Sequence, residues 1–237
     1  MTSAIRVPAA VLLPGTGSDE VFVRAVFAEP LRALGVPLIA PSPPPGAALA
    51  DGYLATLDTL ADEHGELLVG GISFGAHLAA EWAVRNPARC GGLLAALPAW
   101  NGAPGPAPAS LAATLTADLV AASGVDAALA QTAGSPDWLR AELDRAWRRH
   151  GDGLAGSLRA AAGRPAPSLA DLAALAAPAG IGTCTDDPIH PTKVASAWAG
   201  ALPRAALGET TLTALGADRE ALGRATVLAF LRALETP

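Results

Sequence analysis

Gly71-Ile72-Ser73-Phe74-Gly75 sets one serine between glycines two residues before and two residues after it. The strand-like run Glu66-Leu67-Leu68-Val69-Gly70 leads directly into it, and a helical pattern over residues 76–85 leads away. A serine at such a junction occupies a tight turn with strained backbone angles, and small flanking residues let strand and helix come close. Its oxygen then projects from the carboxyl edge of a sheet. The N-terminus of the following helix favours negative charge developing there. This is the setting of a nucleophile, and a hydroxyl becomes a good one only when a base takes its proton.

The elements around the serine follow one alternation. Apolar runs at 9–13, 36–40, 67–72, 92–97, 179–182 and 206–212 read as strands, and 19–34, 47–64 and 74–85 read as helices. Near-continuous apolar strands separated by helices point to a parallel sheet covered on both faces. The expected fold is α/β and doubly wound, with a mostly parallel sheet. Residues 100–177 break that rhythm. They open on a Pro/Gly-rich stretch, continue as Ala/Leu/Arg-rich helical sequence such as 136–150, and contain no strand-like run. A helical cap over 100–177, inserted into a sheet domain of 1–99 and 178–237, is expected. Trp138 and Trp147 lie on its apolar side, as cap-core residues or as the lining of a pocket beneath it.

With this placement of the G-x-S-x-G the chain resembles the α/β-hydrolase fold superfamily over nearly its whole length. Pro14-Gly15-Thr16-Gly17, after the first apolar strand, is similar to that family's oxyanion loop, although Pro14 stands where many members carry His. The resemblance implies an oxyanion hole made by the backbone N–H groups of Thr16 and Phe74. A phosphate loop does not fit, since no Gly-Lys-Ser/Thr follows and the sole lysine is Lys193. Thr183-Cys184-Thr185-Asp186-Asp187-Pro188-Ile189-His190-Pro191 resembles the family's acid turn. The Asp-Pro-x-x-Pro spacing favours Asp187 as the acid over Asp186. The bland alternative is that the pair caps a helix beginning near Pro191.

The resemblance breaks at the base. The family places its histidine on the loop after the last strand, here about 213–218, and that stretch has none; Ala217 follows Gly216. Four histidines remain to search. His64 precedes strand 67–72, on the wrong edge of the sheet. His150 ends a cap helix, where a basic residue complements the helix dipole. His77 lies one turn beyond Ser73 and reads most simply as a packed core residue, though it could approach the serine from behind. His190 alone follows Asp187 and lies on the carboxyl edge, so the base is His190 or His77, or the site has lost its base.

Composition removes other classes of function. The net charge is −6, and the 16 basic residues are scattered, so no nucleic-acid-binding surface is expected. Cys90 and Cys184 cannot make a disulfide scaffold and read as buried thiols. Prolines interrupt the longer uncharged stretches, so no membrane span is expected, and the protein reads as soluble, cytoplasmic and bacterial. No metal or organic cofactor is implied. The expectation is a serine hydrolase forming an acyl-enzyme on Ser73, with Thr16 and Phe74 at the oxyanion and Asp187 orienting His190. Its substrate is expected to be a small or medium apolar ester, thioester or lactone. The alternatives are a non-hydrolytic catalyst (a cyclase or lyase) or ligand-binding module built on the same pocket, and an interaction scaffold.

Overall fold

The strands β1 (Ala10–Leu13), β2 (Leu38–Ile39), β3 (Leu67–Ile72), β4 (Cys90–Ala96), β5 (Ala179–Cys184) and β6 (Ala205–Thr210) pair side by side. Together they make one sheet, ordered β2-β1-β3-β4-β5-β6, in which every neighbouring pair is parallel. The computed structural model describes residues 7–235. The first three strands are connected by α1 (Glu20–Arg32) and α2 (Leu49–His64), and α3 (Phe74–Arg85) carries the chain from β3 to β4. After β5 come α8 (Thr192–Ala201), then β6, α9 (Leu212–Ala217) and α10 (Glu220–Glu235). Between β4 and β5 the chain forms only helices: α4 (Pro108–Ala130), α5 (Asp137–His150), α6 (Leu154–Ala162) and α7 (Leu169–Ala173), with short 3-10 turns.

Period-two alternation builds the core on both faces of the sheet. Val11, Leu13, Leu67, Val69, Leu93 and Ala95 pack under α2, α3 and α8, where Tyr53, Leu57, Trp82 and Trp198 are buried. Ala10, Leu12, Leu68, Leu94 and Ala96 face α1 and α10, against Phe27, Leu31, Val227 and Phe230. A smaller apolar cluster belongs to the cap, where Ala117, Val120, Trp147, Leu154 and Leu158 meet.

Several expected boundaries shift. The second strand shortens from 36–40 to two residues, because Pro37 has no N–H to give a ladder and β2 lies at the sheet edge. The fifth strand runs two residues further, to Cys184, paired with β6. The sixth stops at Thr210, and residues 213–218, read as a loop, are largely the helix α9. Thr211 starts that helix by accepting from the Ala214 N–H, as an N-cap does. Leu97, just past β4, holds φ +53, a left-handed backbone rare for a bulky residue. The apolar helix α4 is, by length and composition alone, able to cross a membrane. Gly124 (φ 82°) breaks it into two pieces, each shorter than the ~20 residues a span needs.

The strand order fixes where a site can be. The chain runs from β1 outward to β2, then crosses back to β3 on the other side of β1. At such a switch point the loops beyond the carboxyl ends of the two strands diverge and leave a crevice. The loop after β1 carries Thr16, and the turn after β3 carries Ser73.

Candidate active site

Ser73 is built into the turn between β3 and α3 with φ 54° and ψ −117°, a left-handed conformation that costs a non-glycine residue about 1–3 kcal/mol. The strain is held from both sides. The Ser73 N–H donates to Ala96 O of β4 at 2.8 Å, and Ser73 O accepts from His77 N at 3.2 Å. Neither flanking glycine can be larger. A Cβ on Gly71 would stand 2.5 Å from Leu13 O and 2.6 Å from the Gly75 carbonyl carbon, and one on Gly75 would collide with Leu13 O.

The loop after β1 lies against this turn, since a Cβ on Gly15 would be 3.4 Å from Ser73 Cβ. A hydrogen bond from Ser18 N to Gly15 O (3.1 Å) closes it, with Thr16 and Gly17 at the corners and Gly17 at φ 66°. Phe74 opens α3, so its N–H is among those with no partner inside the helix. Trp147 and Leu158 of the cap come down onto Gly17, placing apolar side chains over the loop.

The turn after β5 supplies the ionisable groups. Asp187 Oδ1 accepts from the N–H groups of Ile189 (2.8 Å) and His190 (3.1 Å), folding the loop back on itself. Asp187 Oδ2 lies 2.8 Å from His190 Nδ1, and His190 Nε2 lies 2.9 Å from Ser73 Oγ. Both side chains are largely shielded, at 5% and 16% exposure. Burial pushes the Asp187 carboxyl up, but the hydrogen bond and charge of His190 and the two amides outweigh it and hold the group below its usual 3.8. An ionised Asp187 keeps the imidazole proton on Nδ1 and leaves the Nε2 lone pair facing the serine hydroxyl.

No family model matches the chain, and no curated protein matches it. Solved structures do. An esterase from Thermogutta terrifontis superposes with a TM-score of 0.67 at 20% identity, covering 86% of this chain and 80% of its own. The enol-lactonase from Burkholderia xenovorans LB400 gives 0.68 at 16% identity, with 86% and 83% covered. MenH from S. aureus gives 0.74 at 15% identity, with 99% and 97% covered. The chain has the α/β-hydrolase fold.

The histidine beside Ser73 does not come from the segment after β6, where it was expected. The position after β6 is taken by α9, and Gly216 there is packed under Trp138, whose Nε1 would be 2.5 Å from an added Cβ. His190 instead comes from the loop of its own aspartate, three residues on. Asp186 accepts from Leu212 N at 2.6 Å, tying the β5 loop to α9. The helix after Pro191 takes no side-chain cap from either aspartate.

The other candidate base is occupied elsewhere. His77 is buried, its Nε2 accepts from Ala99 N at 2.9 Å, and its ring packs edge-on against Trp100. Burial, and to a lesser degree the charge of His190, push its imidazole down to about 3, so the ring stays neutral. His64 lies at the far end of α2 beside Glu63. His150 reaches Ser18 O at 3.0 Å, a tie from cap to core that its helix-end position did not reveal. Among the described residues no group of three His, Cys, Asp or Glu is placed to hold a metal ion. Cys90 and Cys184 are free and buried, and burial pushes each thiol up to about 12.

Proposed function

We propose that the protein is a serine hydrolase cleaving a small or medium apolar ester, thioester or lactone through an acyl-enzyme on Ser73. The observation that carries this reading is the unbroken relay from Asp187 Oδ2 through His190 to Ser73 Oγ, with contacts of 2.8 and 2.9 Å. His190 Nε2 takes the hydroxyl proton as Ser73 Oγ bonds to the acyl carbon. Asp187 balances the imidazolium that forms. The oxyanion accepts from the Phe74 and Thr16 N–H groups. As the tetrahedral species collapses, the bond to the leaving oxygen or sulfur breaks, and that atom takes the proton from His190. Water then repeats the cycle, giving a proton to His190 and its oxygen to the acyl carbon, and Ser73 recovers its proton as the acid departs.

Trp147 and Leu158 over the oxyanion loop support an apolar acyl or alcohol group, because substrate pockets are lined mainly by such side chains. The esterase and enol-lactonase among the similar folds are compatible with this chemistry. A hydrolase fold without hydrolysis draws its force from the missing histidine after β6, and His190 Nε2 at 2.9 Å from Ser73 Oγ supports hydrolysis over that alternative.

The test is hydrolysis of short p-nitrophenyl esters with labelling by a fluorophosphonate. Ser73→Ala is expected to lose both, and His190→Ala to lose at least about 100-fold in kcat. Wild-type turnover no faster than Ser73→Ala would sink the reading.

A further inference from the structure

Four consecutive residues, from the last of the oxyanion loop onward, each meet a residue of one cap helix. Gly17 lies under the indole of Trp147, whose Nε1 would be 2.9 Å from an added Cβ. Ser18 O accepts from His150 Nε2 at 3.0 Å. Asp19 takes a two-pronged bond from Arg145, Nε to Oδ2 at 2.9 Å and Nη2 to Oδ1 at 2.7 Å. Glu20 pairs with Arg149 at 2.5 Å. Asp19 is 1% exposed and also caps α1 through the N–H groups of Val21 and Phe22, so it is fixed to both the cap and the core.

The loop itself is soft. Thr16 sits between two glycines, and Gly17 already uses the left-handed region open to glycine at little cost. Its internal closure is the single bond from Ser18 N to Gly15 O. Rigidity at Thr16 must therefore come from neighbours, and on its C-terminal side most of those neighbours belong to α5, with Leu158 of α6 beside Gly17. The opposite end of α5 is seated as well, with Trp138 on Gly216 and the Arg219 guanidinium stacked over the Trp138 ring. The helix thus straps across the carboxyl edge of the sheet from the oxyanion loop to α9.

We propose that α5 braces the oxyanion loop, with Arg145 as a positioning residue that acts through Asp19, so that the Thr16 N–H is set for the acyl step only while the cap is seated. The kinetic part of this proposal rests on the serine-hydrolase reading; the brace itself does not. A mobile donor forfeits much of what a fixed one contributes, and losing one oxyanion donor outright costs about 100- to 1,000-fold in kcat.

Two measurements decide it together. Hydrogen exchange of the amides over 15–18 is compared between wild type and Arg145→Met, with β3 amides as the internal reference. Ester kinetics are run on the same proteins. Exchange over 15–18 is expected to rise at least about tenfold while β3 stays protected, with kcat down about 10- to 100-fold and KM within about threefold. Arg145→Lys, which keeps charge but not the planar fork, should fall between. Arg159→Gln, which breaks a cap ion pair to Asp118 away from the loop, should match wild type. Unchanged exchange over 15–18 overturns the brace, and so does a rise that β3 shares equally. If Arg145→Met does not fold, His150→Ala removes the tie to Ser18 O alone and is read by the same criteria. Should wild type prove inert toward esters, the hydrolase reading fails while the exchange data still decide the brace.

Discussion

Asp187 performs two tasks with its two oxygens. Oδ1 gathers the Ile189 and His190 amides and so shapes the loop, and Oδ2 then meets the ring that this shape delivers. Short sequence separation makes the arrangement inexpensive, since closing a three-residue loop loses little chain entropy. The neighbouring carboxylate, Asp186, tethers α9 through Leu212 N. Asp187→Asn removes the charge that holds the imidazole proton on Nδ1, and kcat is expected to fall about 1,000- to 10,000-fold. Asp186→Asn keeps an acceptor for Leu212 and should stay within about threefold. Equal losses on p-nitrophenyl esters would overturn the division of labour between the two aspartates.

At the scale of elements, the β3–α3 turn is specified from several directions at once. Strain at Ser73 persists because β4 fixes its N–H and the β1 backbone closes over the turn, leaving no room for a Cβ at Gly71 or Gly75. Gly71→Ala must push β1 and α3 apart, and a stability loss of at least about 2–3 kcal/mol in urea unfolding is expected. Unfolding within about 0.5 kcal/mol of wild type would mean that the turn relaxes more readily than its packing indicates. At the same carboxyl edge, after β6, α9 takes the chain segment where a loop was expected. Its Thr211 cap and its bond from Asp186 hold it there.

For the whole molecule, three buried groups tie stability to pH in the same direction. His77, at about 3, stays neutral when folded, whereas in the unfolded chain it takes a proton below 6.5, so its contribution is lost as pH falls from 6.5 toward 3. For Asp19, burial raises the carboxyl, but the bonds from Arg145 and Phe22 and the charges of Arg145 and Arg149 bring it below 3.8. Asp187 is lowered in the same way, through His190. The stability these carboxylates contribute is complete above 3.8 and is lost as pH falls through their lowered values. Urea midpoints should therefore fall steadily on acidification from 6.5. His77→Gln, which keeps an acceptor for Ala99 N, should remove a one-proton slope of about 1.4 kcal/mol per pH unit between 6.5 and 3. A variant whose curve runs parallel to wild type would show that His77 does not carry this dependence.

The alternation of apolar strands with amphipathic helices was enough to establish a doubly wound α/β sheet, because period and burial are local properties that a single chain displays. The glycines around Ser73 announced a strained strand-to-helix turn for the same reason, since only small residues fit beside it. Strand ends were less legible. Where β5 stops depends on its pairing with β6, and residues 212–217 became helix through a cap and a tether to Asp186 rather than through a pattern of their own. Which histidine meets Ser73 was open between His77 and His190 because the two differ in surroundings, not in type. Trp100, Trp198 and the Ala99 amide enclose one, while Asp187 turns the other outward onto the serine. The grip of α5 on residues 17–20 had no signal in the chain at all. Arg145 and Asp19 stand 126 residues apart, and only the folded cap brings that charge pair together beside the loop after β1.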